Sequence, residues 1–178
     1  MRILFISDIH GITTNLDKIK DIYNKGNFDK MVVLGDLYYA GFNGNSYLDY
    51  YDNVVVKDFL TGYSDNIICM RGNCDSDIDI KVSDFPINEG ISLINVDGID
   101  IFLTHGNKYN PDNFSRNGVL IYGHYHVPEI KQDSNMVYVC VGSVSLPRGG
   151  SQASYGVYED RKIALYTIEG EVIDSISL

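Results

Sequence analysis

Basic residues, cysteines and long apolar runs are all scarce in this sequence, and each shortage excludes a class of protein. The chain has 14 Lys and Arg against 24 Asp and Glu, a formal net charge of -10. A nucleic-acid groove needs a basic stripe that replaces the counterions on the phosphates, so this composition argues against one. No apolar run approaches the length of a transmembrane helix. We therefore expect neither a nucleic-acid groove nor a membrane-spanning segment.

Cysteine usage indicates a reducing compartment. Cys69, Cys74 and Cys140 form no CxxC pair and no even set for a disulfide framework. The first six residues run directly into a polar motif and lack the apolar core and cleavage site of a signal peptide. We expect a cytoplasmic protein.

The first half of the chain alternates apolar runs with amphipathic segments. Residues 3–6, 31–34 and 66–70 have the composition of strands covered on both faces. Between them we predict two helices, one over 53–60 and an earlier one capped by Thr13 or Thr14 and ending near Gly26. Strand, helix, strand implies a parallel pair whose polar ends, Asp8 and Asp36, meet at one edge of the sheet.

The second half contains many short strands and few helical patterns. Asp97-Gly98 between 91–96 and 99–103 predicts a hairpin, where antiparallel pairing begins. Further strands are predicted at 119–122, 127–131, 136–141, 154–158, 162–168 and 171–176. The length of 178 residues with 44% hydrophobic content suits one domain over 1–178. Two packed sheets with helices outside is the expected α/β architecture.

Five short polar clusters close apolar runs, and all four histidines lie within them. The clusters are Ser7-Asp8-Ile9-His10, Leu34-Gly35-Asp36, Arg71-Gly72-Asn73-Cys74-Asp75, Thr104-His105-Gly106 and Gly123-His124-Tyr125-His126. Carboxylate and imidazole together suit Zn, Mn, Fe or Mg-like ions, whereas thiolate-rich sites select softer metals. Because alternation along a strand places residues i and i+2 on one side, Asp8 with His10, and His124 with His126, can each present two ligands.

These clusters offer more ligands than one metal needs. Two metals about 3.5 to 4 Å apart that share one carboxylate would use every candidate. The candidate ligands are Asp8, His10, Asp36, Asn73, His105, His124 and His126. The sequence therefore predicts a two-metal hydrolase of phosphate esters.

In their order along the chain, the five clusters resemble those of calcineurin-like metallophosphoesterases, and more closely the small YfcE-type bacterial phosphodiesterases. The likeness covers nearly the whole chain. It implies a metallophosphatase-like fold, a four-layer α/β/β/α sandwich of two mixed sheets flanked by helices. It also implies that Asp8, His10 and His126 hold one metal, that Asn73, His105 and His124 hold the other, and that Asp36 bridges them.

The resemblance also implies an activity, in which Asp36 and Asn73 take a catalytic part. Two divalent ions would lower the pKa of a bridging water for in-line attack on a small phosphodiester. Manganese is the expected metal, and zinc, nickel, iron and magnesium are the alternatives. Many family members have a histidine that assists the leaving group where this chain has Cys74. A thiol, with a pKa of about 8.5 against about 6.5 for imidazole, matches that role poorly at neutral pH. We therefore predict a diesterase rather than a monoesterase.

Other functions on the same fold are a protein-interaction scaffold, like the retromer subunit that resembles these enzymes, a phosphomonoesterase, and a nuclease. A scaffold has no need of seven intact ligands, and the acidic charge disfavours a nuclease. Asp75, Asp77 and Asp79 are spaced like calcium ligands, but Ile80 stands where an EF-hand needs glycine. A solvated acidic loop is predicted there, with Asp75 supporting the metal ligands from behind.

Two features of the sequence each allow more than one interpretation. An aromatic stretch follows Asp36 and suits ordinary packing, a homo-oligomer contact in a dimer or tetramer, or substrate stacking. Its members are Tyr38, Tyr39, Phe42, Tyr47, Tyr50 and Tyr51. Arg148 suits either a bidentate contact with a substrate phosphate or a surface ion pair.

Overall fold

The fold is described from a computed structural model, for residues 1–39 and 50–178. In these ranges the helices are α1 (Leu16–Gly26), α2 (Asn53–Thr61) and α3 (Asp77–Val82). The strands are β1 (Ile3–Ile6), β2 (Lys30–Val33), β3 (Ile67–Met70), β4 (Ile87–Asn88), β5 (Ile91–Val96), β6 (Ile99–Thr104), β7 (Gly118–Tyr122), β8 (Pro128–Asp133), β9 (Met136–Val141), β10 (Ser154–Glu159), β11 (Lys162–Thr167) and β12 (Val172–Ser177). Each predicted strand is present with small shifts at its ends. No helix of the described ranges is long and apolar enough to span a membrane.

The strands form two mixed sheets. The seven-stranded sheet has the order β12-β11-β10-β1-β2-β3-β4, and β1, β2, β3 and β4 run parallel, as predicted for the first strands. The five-stranded sheet has the order β5-β6-β7-β9-β8. Its central β6, β7 and β9 are parallel, and its outer pairs are antiparallel. The predicted hairpin is present, with Asp97 and Gly98 both at positive φ as a two-residue turn requires.

Strand β1 shows how the layers are built. All four of its residues are fully buried. Ile3 and Phe5 point into the core between the two sheets, while Leu4 and Ile6 point into the core under α1 and α2. Since successive side chains of a strand alternate between faces, a continuous apolar run is what a strand covered on both faces needs. The core between the sheets draws on both of them.

The predicted α/β class, two mixed sheets in a metallophosphatase-like fold, is confirmed. The outer face of the five-stranded sheet adds one detail. There Phe114 lies edge-on against Phe102, with ring centroids 5.0 Å apart, and its carbonyl accepts a hydrogen bond from the Tyr138 hydroxyl. The segment 105–117 that carries Phe114 forms turns rather than a helix.

Two local predictions are wrong. Helix α1 begins after Asn15, and the Thr13 hydroxyl donates to the Tyr50 carbonyl instead of capping the helix. The acidic segment predicted as a solvated loop forms α3, because Ser76 and Asp79 make a reciprocal capping box. This box satisfies backbone donors of the first turn and lets a short segment without buried residues adopt a helix.

Candidate metal centre

The predicted ligands lie just beyond the carboxyl ends of β1, β2, β3, β6 and β7. Five of them have backbones in the left-handed region, with φ between 54° and 68°, although none is glycine. They are Asp8, His10, Asp36, His124 and His126. This conformation costs about 1–2 kcal/mol for each non-glycine residue, and such strain persists mainly at functional sites. The i, i+2 pairs therefore converge through tight turns rather than through the simple strand alternation assumed from the sequence.

We call Asp8, His10 and His126 the first half of the site. All three are buried. Asp8 Oδ1 lies 3.6 Å from His10 Nε2 and 3.2 Å from His126 Nε2, and the two Nε2 atoms are 3.2 Å apart. Asp8 Oδ1 is fully buried and has no hydrogen-bond donor in the described ranges. Because buried polar atoms are nearly always satisfied, this oxygen marks the place of a further partner.

We call Asn73, His105 and His124 the second half of the site. Asn73 Oδ1 lies 3.0 Å from His105 Nε2, and the rings of His105 and His124 meet at 5.1 Å between centroids. His105 is buried, His124 half-buried and Asn73 exposed. In the ranges that the structure covers, the compact groups of three potential ligand atoms do not include His124. The second half is therefore more open than the first.

Asp36 connects the two halves. Its Oδ2 lies 3.6 Å from His10 Nε2 and 3.4 Å from His105 Nε2. Its Oδ1 accepts a hydrogen bond of 2.8 Å from the Cys74 amide. One oxygen is thus fixed by the backbone, and the other is left between the halves.

Backbone carbonyls orient three of the four imidazoles. His105 Nδ1 contacts the Leu34 carbonyl at 2.7 Å, and His126 Nδ1 contacts the Leu146 carbonyl at 2.5 Å. His10 Nδ1 contacts the Tyr39 carbonyl in the same way. A carbonyl can only accept, so each Nδ1 donates its proton to it, and in the neutral ring the Nε2 lone pair faces the interior of the site. Sequence reasoning missed these anchors because a backbone carbonyl leaves no residue-specific signal.

Two buried polar side chains hold the ligand loops. Asp75 accepts hydrogen bonds from the backbone amides of Asp36, Leu37 and Gly72, which is the supporting role predicted for it. Ser143 donates to the Asp8 carbonyl and accepts from the amides of Ser145 and Leu146. Sequence reasoning left Ser143 without a role; its position in a Gly-Ser turn after a strand was the available signal.

The charged groups compensate one another. Burial alone would raise the pKa of Asp8 and of Asp36, but contacts with the histidines outweigh burial and hold both pKa values below their usual range. The same contacts raise the pKa of His10 and of His105 against the effect of burial. Burial and the neighbouring His105 lower the pKa of His124. Both carboxylates are therefore ionised at neutral pH, and cations and protons compete for the site.

Cys74 lies beside the site without the properties of a reactive thiol. Its sulfur belongs to a compact group with His10 and Asp36, and the Asn73 amide nitrogen lies 3.3 Å away. Burial, followed by the nearby Asp36 carboxylate, raises the pKa of Cys74 to about 12. The thiol is therefore neutral at neutral pH and is a poor proton donor or nucleophile.

The donor set fits divalent cations. Metal–ligand distances of about 2.0–2.2 Å place neighbouring ligand atoms roughly 3.0–3.6 Å apart around one ion. The separations in the first half, 3.2 to 3.6 Å, fall in this range. Together with the unsatisfied Asp8 Oδ1 and the Nε2 atoms directed inward, they suit an ion bound by nitrogen and oxygen.

The aromatic stretch after Asp36 is partly buried in the fold. Tyr38 is buried with its hydroxyl 2.8 Å from Ser83 Oγ, and the Tyr51 hydroxyl donates to the Tyr38 carbonyl, so both serve packing. Tyr50 is exposed, and the predictions for Phe42 and Tyr47 lie outside the described residues.

The Arg148 amide donates to the His126 carbonyl. Among residues 1–39 and 50–178, its guanidinium forms no ion pair within 4.0 Å.

Two mixed sheets with carboxylates and imidazoles gathered at one edge are typical of the metal-dependent phosphoesterases. A family model described as the calcineurin-like phosphoesterase superfamily domain matches residues 1–162. The chain belongs to this superfamily.

Individual relatives agree with this assignment. The phosphodiesterase YfcE of Escherichia coli strain K12 is 31% identical over 176 residues, covering 97% of this chain and 95% of the relative. The solved structure of Yfce, a phosphoesterase from E. coli, matches with a TM-score of 0.93 and 30% identity over 99% of both chains. Vps29 of Entamoeba histolytica in complex with zinc matches with a TM-score of 0.67 and 19% identity over 99% of this chain and 98% of that one, which shows a shared fold alone.

Proposed function

We propose that the chain is a metal-dependent phosphoric diester hydrolase acting on a small phosphodiester. The observation that carries the proposal is the set of inward-facing ligand atoms around Asp36, with Asp8 Oδ1 buried and unsatisfied. Asp8, His10 and His126 would hold one cation, Asn73, His105 and His124 a second, and Asp36 would bridge them. Similarity to the E. coli phosphodiesterase over 97% of the chain supports the reaction class.

The chain's own residues define what the site contributes to hydrolysis. Two divalent cations, when bound, lower the pKa of water for in-line attack and neutralise charge on the phosphoryl oxygens. Asp36 would hold both cations close together, because its Oδ2 faces each half. Asn73 would contribute its amide oxygen to the half that is open to solvent. The carbonyl contacts at His105 and His126 keep both Nε2 atoms aimed inward without rearrangement.

Cys74 in place of a histidine argues against substrates with poor leaving groups. An alkoxide leaving group benefits from a proton donor whose pKa lies near the working pH. With a pKa of about 12, Cys74 is mismatched to this role, and all four histidines are assigned as ligands. Similarity to the E. coli phosphodiesterase supports a diester as the substrate, and we expect faster hydrolysis of bis(p-nitrophenyl) phosphate than of p-nitrophenyl phosphate. Comparable turnover of the two would contradict the preference.

An activity screen of metals against substrates tests the proposal. Stripped protein is reloaded with Mn, Zn, Ni, Mg or Fe, and we expect manganese to support diester hydrolysis best. Asp36→Ala and His126→Ala should each lower kcat by a factor on the order of 1000 or more, since the cations supply the nucleophile. Asp21→Ala is the matched control, because Asp21 is a surface carboxylate paired with Lys25. Equal activity of Asp36→Ala and wild type would remove the dinuclear mechanism.

Localisation and assembly belong to the same proposal. Cys69 and Cys140 are buried, and all three thiols are unpaired in the described part of the chain, in keeping with a cytoplasmic enzyme. Fractionation of the cells that express it checks this. Assembly into a dimer or tetramer through the surface that carries the exposed Tyr50 is checked by light scattering.

A further inference from the structure

A cavity of about 290 Å³ adjoins the second half of the site. It is lined by Asn73 itself and by Arg71, Glu89, Asn107 and Lys108. Its volume lies at the lower end of ligand sites, which span roughly 300–1,000 Å³. Because Asn73 is a proposed metal ligand, a group bound in this cavity would be continuous with a phosphate at the metals. The cavity therefore has room for a small substituent of the substrate.

Most charges on the cavity wall are already matched. The Arg71 guanidinium pairs with Asp77 at 2.7 Å and with Glu89 at 2.5 Å, and its Nε donates to the Asp75 carbonyl. The buried Asp75 carboxylate accepts three backbone amides. These groups satisfy one another and leave few charges or hydrogen-bond donors for a ligand.

Lys108 differs from them. It is exposed at the wall, and within residues 1–39 and 50–178 no carboxylate lies within 4.0 Å of its ammonium. Its carbonyl accepts a hydrogen bond of 2.9 Å from the Asn113 side-chain amide. In a chain with a net charge of -10, a cation beside the site that has no counterion among the described residues attracts an anion. The neighbouring Asn107 side chain adds amide donors.

We propose that this cavity binds an anionic substituent, a phosphate or a carboxylate, on one of the two alcohols of the phosphodiester, and that Lys108 recognises it. The inference rests on the proposed diesterase function. An ammonium forms charge-assisted hydrogen bonds with either anion. The preferred substrates are then diesters with a second negative group a few bonds from phosphorus.

A matched series of substrates tests the inference. In three p-nitrophenyl phosphodiesters the second alcohol is ethanol, glycolate or ethylene glycol phosphate, which supply a neutral, a carboxylate and a phosphate substituent. In manganese-loaded wild type, kcat/KM should be about tenfold higher for an anionic diester than for the ethyl diester, the effect of one hydrogen bond to a charged group. The larger gain identifies carboxylate or phosphate as the ligand. Equal values for all three would overturn the inference.

Variants assign the preference to Lys108. Lys108→Ala should lower the ratio of anionic to neutral kcat/KM about tenfold, mainly through KM, and Lys108→Arg should restore most of it. Lys25→Ala, a surface lysine paired with Asp21, should keep the wild-type ratio. An unchanged ratio in Lys108→Ala would show that Lys108 does not recognise the substituent.

A binding measurement separates this inference from the proposed function. Magnesium-loaded, isotope-labelled protein is titrated with ethylene glycol phosphate and with glycolate, and amide shifts are followed by NMR. We expect shifts at Asn107 and Lys108 that are reduced in Lys108→Ala. If no diester is hydrolysed with any metal, the proposed function fails while these shifts still support an anion site. Absence of the shifts would refute the anion site itself.

Discussion

The two halves of the candidate metal centre differ in how completely the fold arranges them. In the first half, Asp8, His10 and His126 are all buried, and their ligand atoms lie 3.2 to 3.6 Å apart. In the second half, His105 is buried and anchored, but Asn73 is exposed and His124 is half-buried. The ring nitrogens of His10 and His126 are fixed by carbonyls, whereas in the described ranges His124 has no such contact.

This difference indicates unequal tasks. A preorganised, buried set of ligands binds a cation with little rearrangement and excludes water from it. An open set leaves coordination positions that a substrate can share. Under the proposed two-cation function, the first half would retain its cation more firmly, and the substrate would enter from the side of the second half. The cavity beside Asn73 agrees with that direction.

Removing one histidine from each half gives the largest expected contrast. His126→Ala should lower manganese affinity by at least about 100-fold, because loss of an outer partner alone costs about 10- to 100-fold. His124→Ala should lower it by a factor on the order of 10, since water can replace a half-exposed ligand. Calorimetric titration of stripped protein measures both values. A greater loss in His124→Ala than in His126→Ala would reverse the assignment of the halves.

Metal removal should affect stability next most strongly. A ligand present at about 1,000 times its Kd stabilises the folded state by about 4.1 kcal/mol, which corresponds to a fall in Tm of about 10 °C on stripping a chain of this size. Because the first half buries an unsatisfied carboxylate oxygen, its loops should lose more hydrogen-exchange protection than the Asn73 loop. Scanning calorimetry and hydrogen exchange before and after chelation, with manganese added back as the control, check both statements. An equal loss of hydrogen-exchange protection in the two halves would contradict the difference between them.

The sequence allowed much of this arrangement to be predicted because ligands and strands leave residue-specific patterns. The run Ile3–Ile6 has the composition of a doubly covered strand and is one. Helix α3 was missed because its apolar residues Ile78, Ile80 and Val82 alternate with polar ones and form no helical stripe, although Ser76 and Asp79 had the spacing of a capping box. The left-handed turn at His10 and the carbonyl that anchors its ring depend on contacts between distant segments, which local patterns do not encode.

The smallest expected effect on stability and manganese binding comes from replacing either of two glycines, Gly123 and Gly98, by alanine. A Cβ at Gly123 would lie 1.9 Å from Ser7 Oγ and 2.6 Å from Asp8 Oδ2, so Gly123→Ala must displace the first half. We expect destabilisation of about 1–3 kcal/mol from overpacking together with weaker manganese retention. Gly98→Ala is the control: Gly98 has a φ of +79° with nothing within 4 Å of an added Cβ.

The control separates backbone strain from displacement of ligands. Gly98→Ala should cost about 1 kcal/mol through strain in the hairpin turn and leave manganese affinity unchanged, since the turn lies at the opposite end of β6 (Ile99–Thr104) from His105. Thermal unfolding gives the stability change, and titration of the stripped variants gives the affinity. If Gly123→Ala lowers Tm but retains manganese like Gly98→Ala, the position of Asp8 tolerates movement, and the first half is less rigid than its burial indicates.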